Sequence, residues 1–280
     1  MKRKFFYIFT SLFFMFSVDN SFAQQDTTRR NNQQRSDRVV KWVNPDIQVM
    51  EGLTHKILKC NALGHDVGYV VWTPDGYDRN TETRYPVIYF LHGMGGNETS
   101  DAAAFSGYVS TAIKNGLLPP VICVFPNGGY SGYRGEVEKM IIDELIPLID
   151  RDYRTLANAQ SRVLTGFSMG GSGSVNLSLM HPELFCFAGS MGGRFRANEQ
   201  NLPLVEKAIP VWKKNNYGFF FVNGDNDNPE AFKEFSAILD KNGIDNKVMV
   251  LPDTGHDLGK YYIESSGELF KLIKVHIKIE

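Results

Sequence analysis

Short, continuously apolar runs alternate with stretches of helical spacing along most of the chain, and this alternation narrows the fold more than any other feature. Runs rich in β-branched and aromatic residues fall at 67–72, 87–91, 121–125, 162–165, 185–189, 219–222 and 247–251. Between them, helical spacing is found at 102–115, 136–150, 170–180, 202–214, 229–242 and about 260–275. A strand that is apolar at every position has both faces buried, and strands separated by helices join by parallel crossovers. The expectation is an α/β fold: a mostly parallel central sheet with helices on both faces. The first run ends in Pro74-Asp75-Gly76-Tyr77, a strong turn signal. The 280 residues suit one domain with one sizeable core, and no repeat or interdomain linker interrupts them.

The N-terminus has a different character. Lys2, Arg3 and Lys4 precede an apolar run over 5–18, and Ser21-Phe22-Ala23 supplies small residues for cleavage. Residues 1–23 therefore read as a secretory signal peptide, with the mature chain starting near Gln24 and placed in the periplasm or outside the cell. A membrane anchor fits less well, because the run falls short of the roughly 20 apolar residues that a spanning helix needs. No cysteine stands near the cleavage site to carry a lipid, so no membrane association is expected after cleavage. Residues 24–41 are mostly Gln, Asn, Arg, Asp and Thr with little to bury, which reads as a disordered linker. The folded domain is expected over 42–280.

Thirty basic and thirty-one acidic residues leave a formal charge of −1, so no electrostatic footprint points to nucleic acid or an anionic membrane. A small-molecule or oligosaccharide partner fits this balance, whereas the oligomeric state leaves no signature. Cys60, Cys123 and Cys186 are well separated and are expected as buried free thiols. No ligand cluster or dinucleotide fingerprint is present, and no metal or cofactor is expected.

The chemistry concentrates at Gly166-Phe167-Ser168-Met169-Gly170, a G-x-S-x-G sequence with a strand-like run before it and a helix-like, small-residue segment after it. That context is the nucleophile elbow of the α/β-hydrolase fold: the sharp strand-to-helix turn exposes the serine, and its flanking glycines avoid clashes. Ser168 is the expected nucleophile. A second serine stands in Gly189-Ser190-Met191-Gly192-Gly193, but Ala188 occupies the place where the motif requires glycine. Ser190 is therefore expected at a strand end, lining the edge of the site.

A serine hydroxyl needs a base, and the base needs a carboxylate, following the serine in the order acid then histidine in this fold. Only His256 and His276 lie far enough downstream. His256 follows an apolar run in the loop Pro252-Asp253-Thr254-Gly255-His256-Asp257, where strand-end loops place bases. His276 stands near the C-terminus and suits a solvated or packing role. The acid is Asp225 or Asp227 in Gly224-Asp225-Asn226-Asp227, and spacing does not choose between them; Asp253 and Asp257 are too close to His256 and should shape the loop. Leu91-His92-Gly93-Met94-Gly95-Gly96-Asn97 resembles the glycine-rich oxyanion loop of esterases, so the N–H groups of Met94 and Met169 are the expected oxyanion donors, with His92 supporting the loop.

These motifs occur in one order: His92-Gly93-Met94-Gly95-Gly96, Pro126-Asn127-Gly128, Glu144-Leu145-Ile146-Pro147, the Ser168 elbow, 224–227 and Gly255-His256-Asp257. Together, from about Val67 to the C-terminus, they resemble the esterase D and feruloyl esterase family of α/β-hydrolases. The resemblance implies ester chemistry, and it favours Asp227, because in such esterases the acid closes a short Gly-x-x-Asp segment while Asp225 braces the turn. It also implies feruloyl or acetyl esters on plant-type oligosaccharides. Secretion disfavours formylglutathione hydrolysis, and no carbohydrate-binding module is expected within these 280 residues. Two other readings share these residues: acyl transfer to a sugar or lipid hydroxyl, and a non-catalytic binding module, the latter opposed by an intact set of triad residues.

Overall fold

The apolar runs come together as a single eight-stranded sheet in the computed structural model, which describes residues 39–279. The strands are β1 (Leu53–Cys60), β2 (His65–Trp72), β3 (Val87–Leu91), β4 (Ile122–Pro126), β5 (Arg162–Phe167), β6 (Phe187–Met191), β7 (Gly218–Gly224) and β8 (Asp245–Leu251). The helices are α1 (Ala102–Lys114), α2 (Glu136–Lys139), α3 (Ile146–Asp152), α4 (Met169–Met180), α5 (Leu202–Lys214), α6 (Lys233–Lys241) and α7 (Leu258–His276). Strand order is β1-β2-β4-β3-β5-β6-β7-β8. The pairs β1·β2 and β2·β4 are antiparallel, and every pair from β4 to β8 is parallel. This is the mostly parallel sheet that the alternating pattern implies, in the α/β-hydrolase arrangement expected from the Ser168 elbow.

Successive side chains of a strand point to opposite faces, so a strand apolar throughout feeds two cores. In β3, Val87, Tyr89 and Leu91 enter one core with the elements around α4 and α5, while Ile88 and Phe90 enter the other with α1 and α7. Cys60, Cys123 and Cys186 are buried free thiols, as expected.

The sequence reading missed β1. Its residues mix His55, Lys56 and Lys59 with Ile57 and Leu58 because it is one of the sheet's two edge strands and is buried only in part. Strand β6 begins at Phe187 and continues to Met191, two residues later than expected, because its ladder is set by the pairs Val163↔Phe187 and Phe167↔Met191. The single helix expected over 136–150 is broken by a π-helical stretch, Met140–Leu145, between α2 and α3. Pro147, which has no N–H for the carbonyl four residues back, follows this wider turn directly. Glu144 projects from the same stretch and accepts hydrogen bonds from the N–H groups of Asn61 (2.9 Å) and Ala62 (2.7 Å), fastening the β1–β2 turn.

The unit Lys41–Glu280 is compact and holds all these elements. The signal peptide, the cleavage point and nearly all of the linker expected over 24–41 lie outside the described residues. Among the described residues no helix is long and apolar enough to cross a membrane.

Candidate active site

Ser168 sits where β5 turns into α4, with φ 55° and ψ −112°. A non-glycine residue at positive φ is strained by about 1–3 kcal/mol and persists only where its surroundings hold it. Here the Ser168 N–H is bound to the Met191 carbonyl at 2.8 Å. The flanking glycines are sterically required: a Cβ on Gly166 would lie 2.5 Å from the Leu91 carbonyl oxygen, and one on Gly170 only 1.8 Å from it. Because Met169 opens α4, its N–H has no carbonyl four residues back within the helix and faces the N-terminal end beside Ser168.

His256 Nε2 lies 2.8 Å from Ser168 Oγ, and His256 Nδ1 lies 2.8 Å from Asp227 Oδ2. A carboxylate only accepts, so Nδ1 carries the proton, and in the neutral ring Nε2 is left to accept from the serine hydroxyl. The Asp227 side chain is largely buried, whereas that of His256 is 43% exposed. The Phe167 ring centroid stands 4.6 Å from that of the imidazole, and Gly192 packs close to the same ring. Asp225 braces the turn: its carboxylate accepts from the N–H groups of Asp253 and Thr254, both at 3.0 Å, and these donors hold its pKa below the ordinary carboxylate value. Asp257 caps α7 by accepting from the Lys260 N–H, and Asp253 faces solvent in the loop.

Beside Ser168 the His92–Gly96 loop is set by the buried His92. Its Nε2 accepts from the Gly128 N–H at 2.9 Å, so its Nδ1 carries the proton and donates to the Gly93 carbonyl at 2.8 Å. Burial pulls the His92 pKa down, which keeps the ring neutral for this pair of bonds. Tyr133 donates to the His92 carbonyl at 3.1 Å. A Cβ on Gly93 would come within 3.5 Å of Ser168 Cβ, so the loop runs against the serine with the next N–H, that of Met94, unbonded among the described residues.

Ser190 is not at the edge of the site. It does stand at the end of β6, one residue before Met191, as expected, but it is fully buried with its Oγ unpartnered beneath α4. His276 is the packing residue: it is buried on Phe187 and bonded to the Asn216 carbonyl (2.7 Å) and Asp245 (3.0 Å).

Two residues of the site went unseen in the sequence. Tyr261, fully buried in α7, donates to Asp227 Oδ2 at 2.9 Å and accepts from the Gly224 N–H at 2.9 Å. Burial pushes its pKa up and keeps the hydroxyl in its donating form. Glu98, whose side chain is fully buried behind the His92–Gly96 loop, accepts from Asn44 N and Nδ2 (2.6 and 2.9 Å), Asn127 Nδ2 (2.7 Å) and His55 Nε2 (3.1 Å). No local motif marks either residue, since a tyrosine on an apolar helix face reads as core and the partners of Glu98 are distant in sequence.

A family model described as "Putative esterase" matches residues 60–234. The endo-1,4-beta-xylanase/feruloyl esterase of Xylanibacter ruminicola is 32% identical over 202 residues, covering 67% of this chain and 26% of that protein. An esterase of Mycobacterium tuberculosis is 33% identical over 144 residues, or 48% of this chain and 30% of its own length. The chain thus spans between a quarter and a third of the curated relatives it matches. Among solved structures, a ferulic acid esterase superposes with a TM-score of 0.68 at 22% identity, covering 80% of this chain and 98% of the other. An S-formylglutathione hydrolase from Staphylococcus aureus gives 0.65 at 15% identity, over 79% and 98%. At these identities the likeness to the solved structures is one of fold.

Proposed function

The chain belongs to the esterase family, and from that membership we propose that it is a serine carboxylic ester hydrolase acting through an acyl-enzyme on Ser168. The single observation that carries this reading is the unbroken line of hydrogen bonds from Asp227 through His256 to Ser168 Oγ, each at 2.8 Å. As Ser168 Oγ attacks the ester carbonyl carbon, His256 Nε2 takes the hydroxyl proton, and Asp227 balances the imidazolium charge. The carbonyl oxygen becomes an oxyanion held by the N–H groups of Met94 and Met169. The C–O bond to the alcohol then breaks as His256 returns the proton to the leaving oxygen. Water, deprotonated by the same Nε2, attacks the acyl carbon and releases Ser168 and the free acid.

The open position of His256, with 43% of its side chain exposed, supports water as the acceptor over transfer to another alcohol. The similarity to a xylanase/feruloyl esterase supports feruloyl or acetyl esters of plant-type oligosaccharides as substrates. The N-terminal leader pattern supports action outside the cytoplasm. A panel of p-nitrophenyl acetate, methyl ferulate and acetylated xylo-oligosaccharides, assayed with and without alcohol acceptors, tests the reading. Free acid should be the main product. Acyl-sugar formed in preference to acid would replace hydrolysis with transfer, and absence of turnover on every ester would overturn the reading.

A further inference from the structure

The loop that leaves β6 beside the serine presents two arginines for which the chemistry above has no use. Its backbone is fastened at four successive residues: the Gly193 carbonyl accepts from buried Asn223 (3.1 Å), and the Arg194 N–H bonds Ser172 Oγ in the first turn of α4 (3.0 Å). The Phe195 N–H bonds the Ala231 carbonyl (3.3 Å), and the Arg196 carbonyl accepts from Asn201 (2.9 Å). Between the arginines, Phe195 turns inward and packs on Phe235 at a centroid distance of 4.3 Å, 7% exposed. Arg194 and Arg196 flank this inward residue, and both are exposed. Neither guanidinium has a carboxylate or hydrogen-bond partner among the described residues.

The two arginines border a cleft of about 510 Å³ whose other wall is the segment directly after Asp227, with Asn228, Glu230 and Lys233. Glu230 is taken by Lys233 Nζ at 2.6 Å, and Glu234, also at the cleft, makes no ion pair with either arginine. Only Gly192 and Gly193 separate Arg194 from the end of β6, and a Cβ on Gly192 would come within 3.1 Å of the His256 ring. Two unpaired guanidinium groups, each able to fork onto a carboxylate, thus stand on a fastened loop that adjoins the reacting centre in a chain of almost neutral net charge.

We propose that Arg194 and Arg196 form an anion subsite, binding a carboxylate carried by the ester substrate. This rests on the ester-hydrolase reading for its meaning and deepens it by naming the substrate class. The carboxylate belongs either to the acyl group, as in a half-ester of a dicarboxylic acid, or to the alcohol, as in an acylated uronic acid.

Two matched pairs of esters distinguish these sources on the full chain. The acyl-side pair is mono-(4-nitrophenyl) adipate and its methyl ester; the alcohol-side pair is an acetylated methyl glucuronoside and the corresponding acetylated methyl glucoside. In one pair kcat/KM should favour the acidic member by about 10-fold, and the preference should shrink with added salt. In the Arg194→Gln/Arg196→Gln double variant the ratio of acidic to neutral kcat/KM should fall back toward one, the single variants lying between. Equal rates within both pairs, or a preference that survives in the double variant, would overturn the subsite while leaving ester hydrolysis standing. If no ester turns over, the ester reading fails by itself, and calorimetric titration of adipate and of methyl glucuronoside decides the subsite. Binding at the same strength by wild type and double variant, or by neither, overturns it, and binding lost with the arginines supports it.

Discussion

Ser168 and Ser190 stand in similar words of sequence, each followed by Met-Gly-Gly, yet the residue two places earlier separates them. Gly166 lets the chain turn against the Leu91 carbonyl, whereas Ala188 continues a strand, so one hydroxyl is presented and the other is buried. Ser168→Ala should lower kcat by at least about 10³-fold with the fold intact, because the covalent step is lost while binding and oxyanion donors remain. Ser190→Ala removes a buried hydroxyl that has no partner, so turnover should stay near wild type and Tm should hold or rise. Steady-state kinetics and melts on both variants check this, and the reverse order of effects would move the nucleophile. Two aspartates divide in the same way. Asp227 faces His256 Nδ1, and Asp225 faces backbone N–H groups. Asp227→Asn should cost roughly 10⁴-fold in kcat by presenting a donor to the imidazole N–H. Asp225→Asn should act through the order of the His256 loop; near-normal turnover in a folded Asp227→Asn enzyme would sink the assignment. These residues were legible because each closely follows a strand whose C-terminal end carries a glycine, where a Cβ would strike neighbouring backbone. Tyr261 was not, because its role depends on a contact to Asp227 across 34 positions that no local pattern encodes.

At the scale of elements, α7 does more than cover the sheet, since its first turns carry the hydroxyl that orients the acid. Tyr261→Phe would leave the Gly224 N–H without its acceptor and Asp227 with one donor fewer. Stability should fall by about 1–3 kcal/mol, the cost of an unpaired buried donor. The rate should fall as well, because Asp227 loses a donor that fixes its carboxylate against His256. A kcat that stays at the wild-type level would reduce Tyr261 to a packing residue. Helix α1 carries the opposite kind of feature. Its N-cap, Asp101, makes no side-chain capping bond, and burial pushes its pKa up to about 6 from 3.8. An acid whose pKa is raised by folding binds its proton more strongly in the native state. Its stabilising share is therefore complete below pH 3.8 and is lost as pH rises through about 6. Asp101→Asn should thus raise stability at pH 8 by an amount on the order of 1–2 kcal/mol, and Tm with it, while changing little at pH 4. Melts at the two pH values check the sign. The inner parallel strands β3 to β7 were legible because two-sided burial makes them almost continuously apolar. The edge strand β1 was not, because one-sided burial leaves it with Lys56 and Lys59 among its apolar residues.

Over the whole molecule, Glu98 joins regions that the sequence keeps far apart. Its carboxylate binds Asn44 in the segment ahead of β1, His55 on β1 and Asn127 after β4, while Gly68 on β2 leaves it room: a Cβ there would come within 2.0 Å of Oε1. The Gly68 N–H in turn bonds the Trp42 carbonyl at 2.6 Å, so the N-terminal segment is laced to the antiparallel half of the sheet. Glu98 itself is carried by the loop that holds Met94. Removing a buried carboxylate from a full set of donors typically costs about 3–5 kcal/mol, because the donors are left unpaired. Glu98→Ala should incur a loss of that order. Because the same loop runs against Ser168, kcat should also fall by about 10-fold at temperatures where the variant is still folded. Glu144→Ala is the control: it frees the β1–β2 turn by removing the acceptor of Asn61 and Ala62, yet touches nothing that holds Met94. It should lower Tm and leave kcat near wild type. Measuring both parameters on both variants separates the two roles. If Glu98→Ala lost stability but kept its kcat, the N-terminal segment and the oxyanion loop would be neighbours in space without being coupled in the reaction.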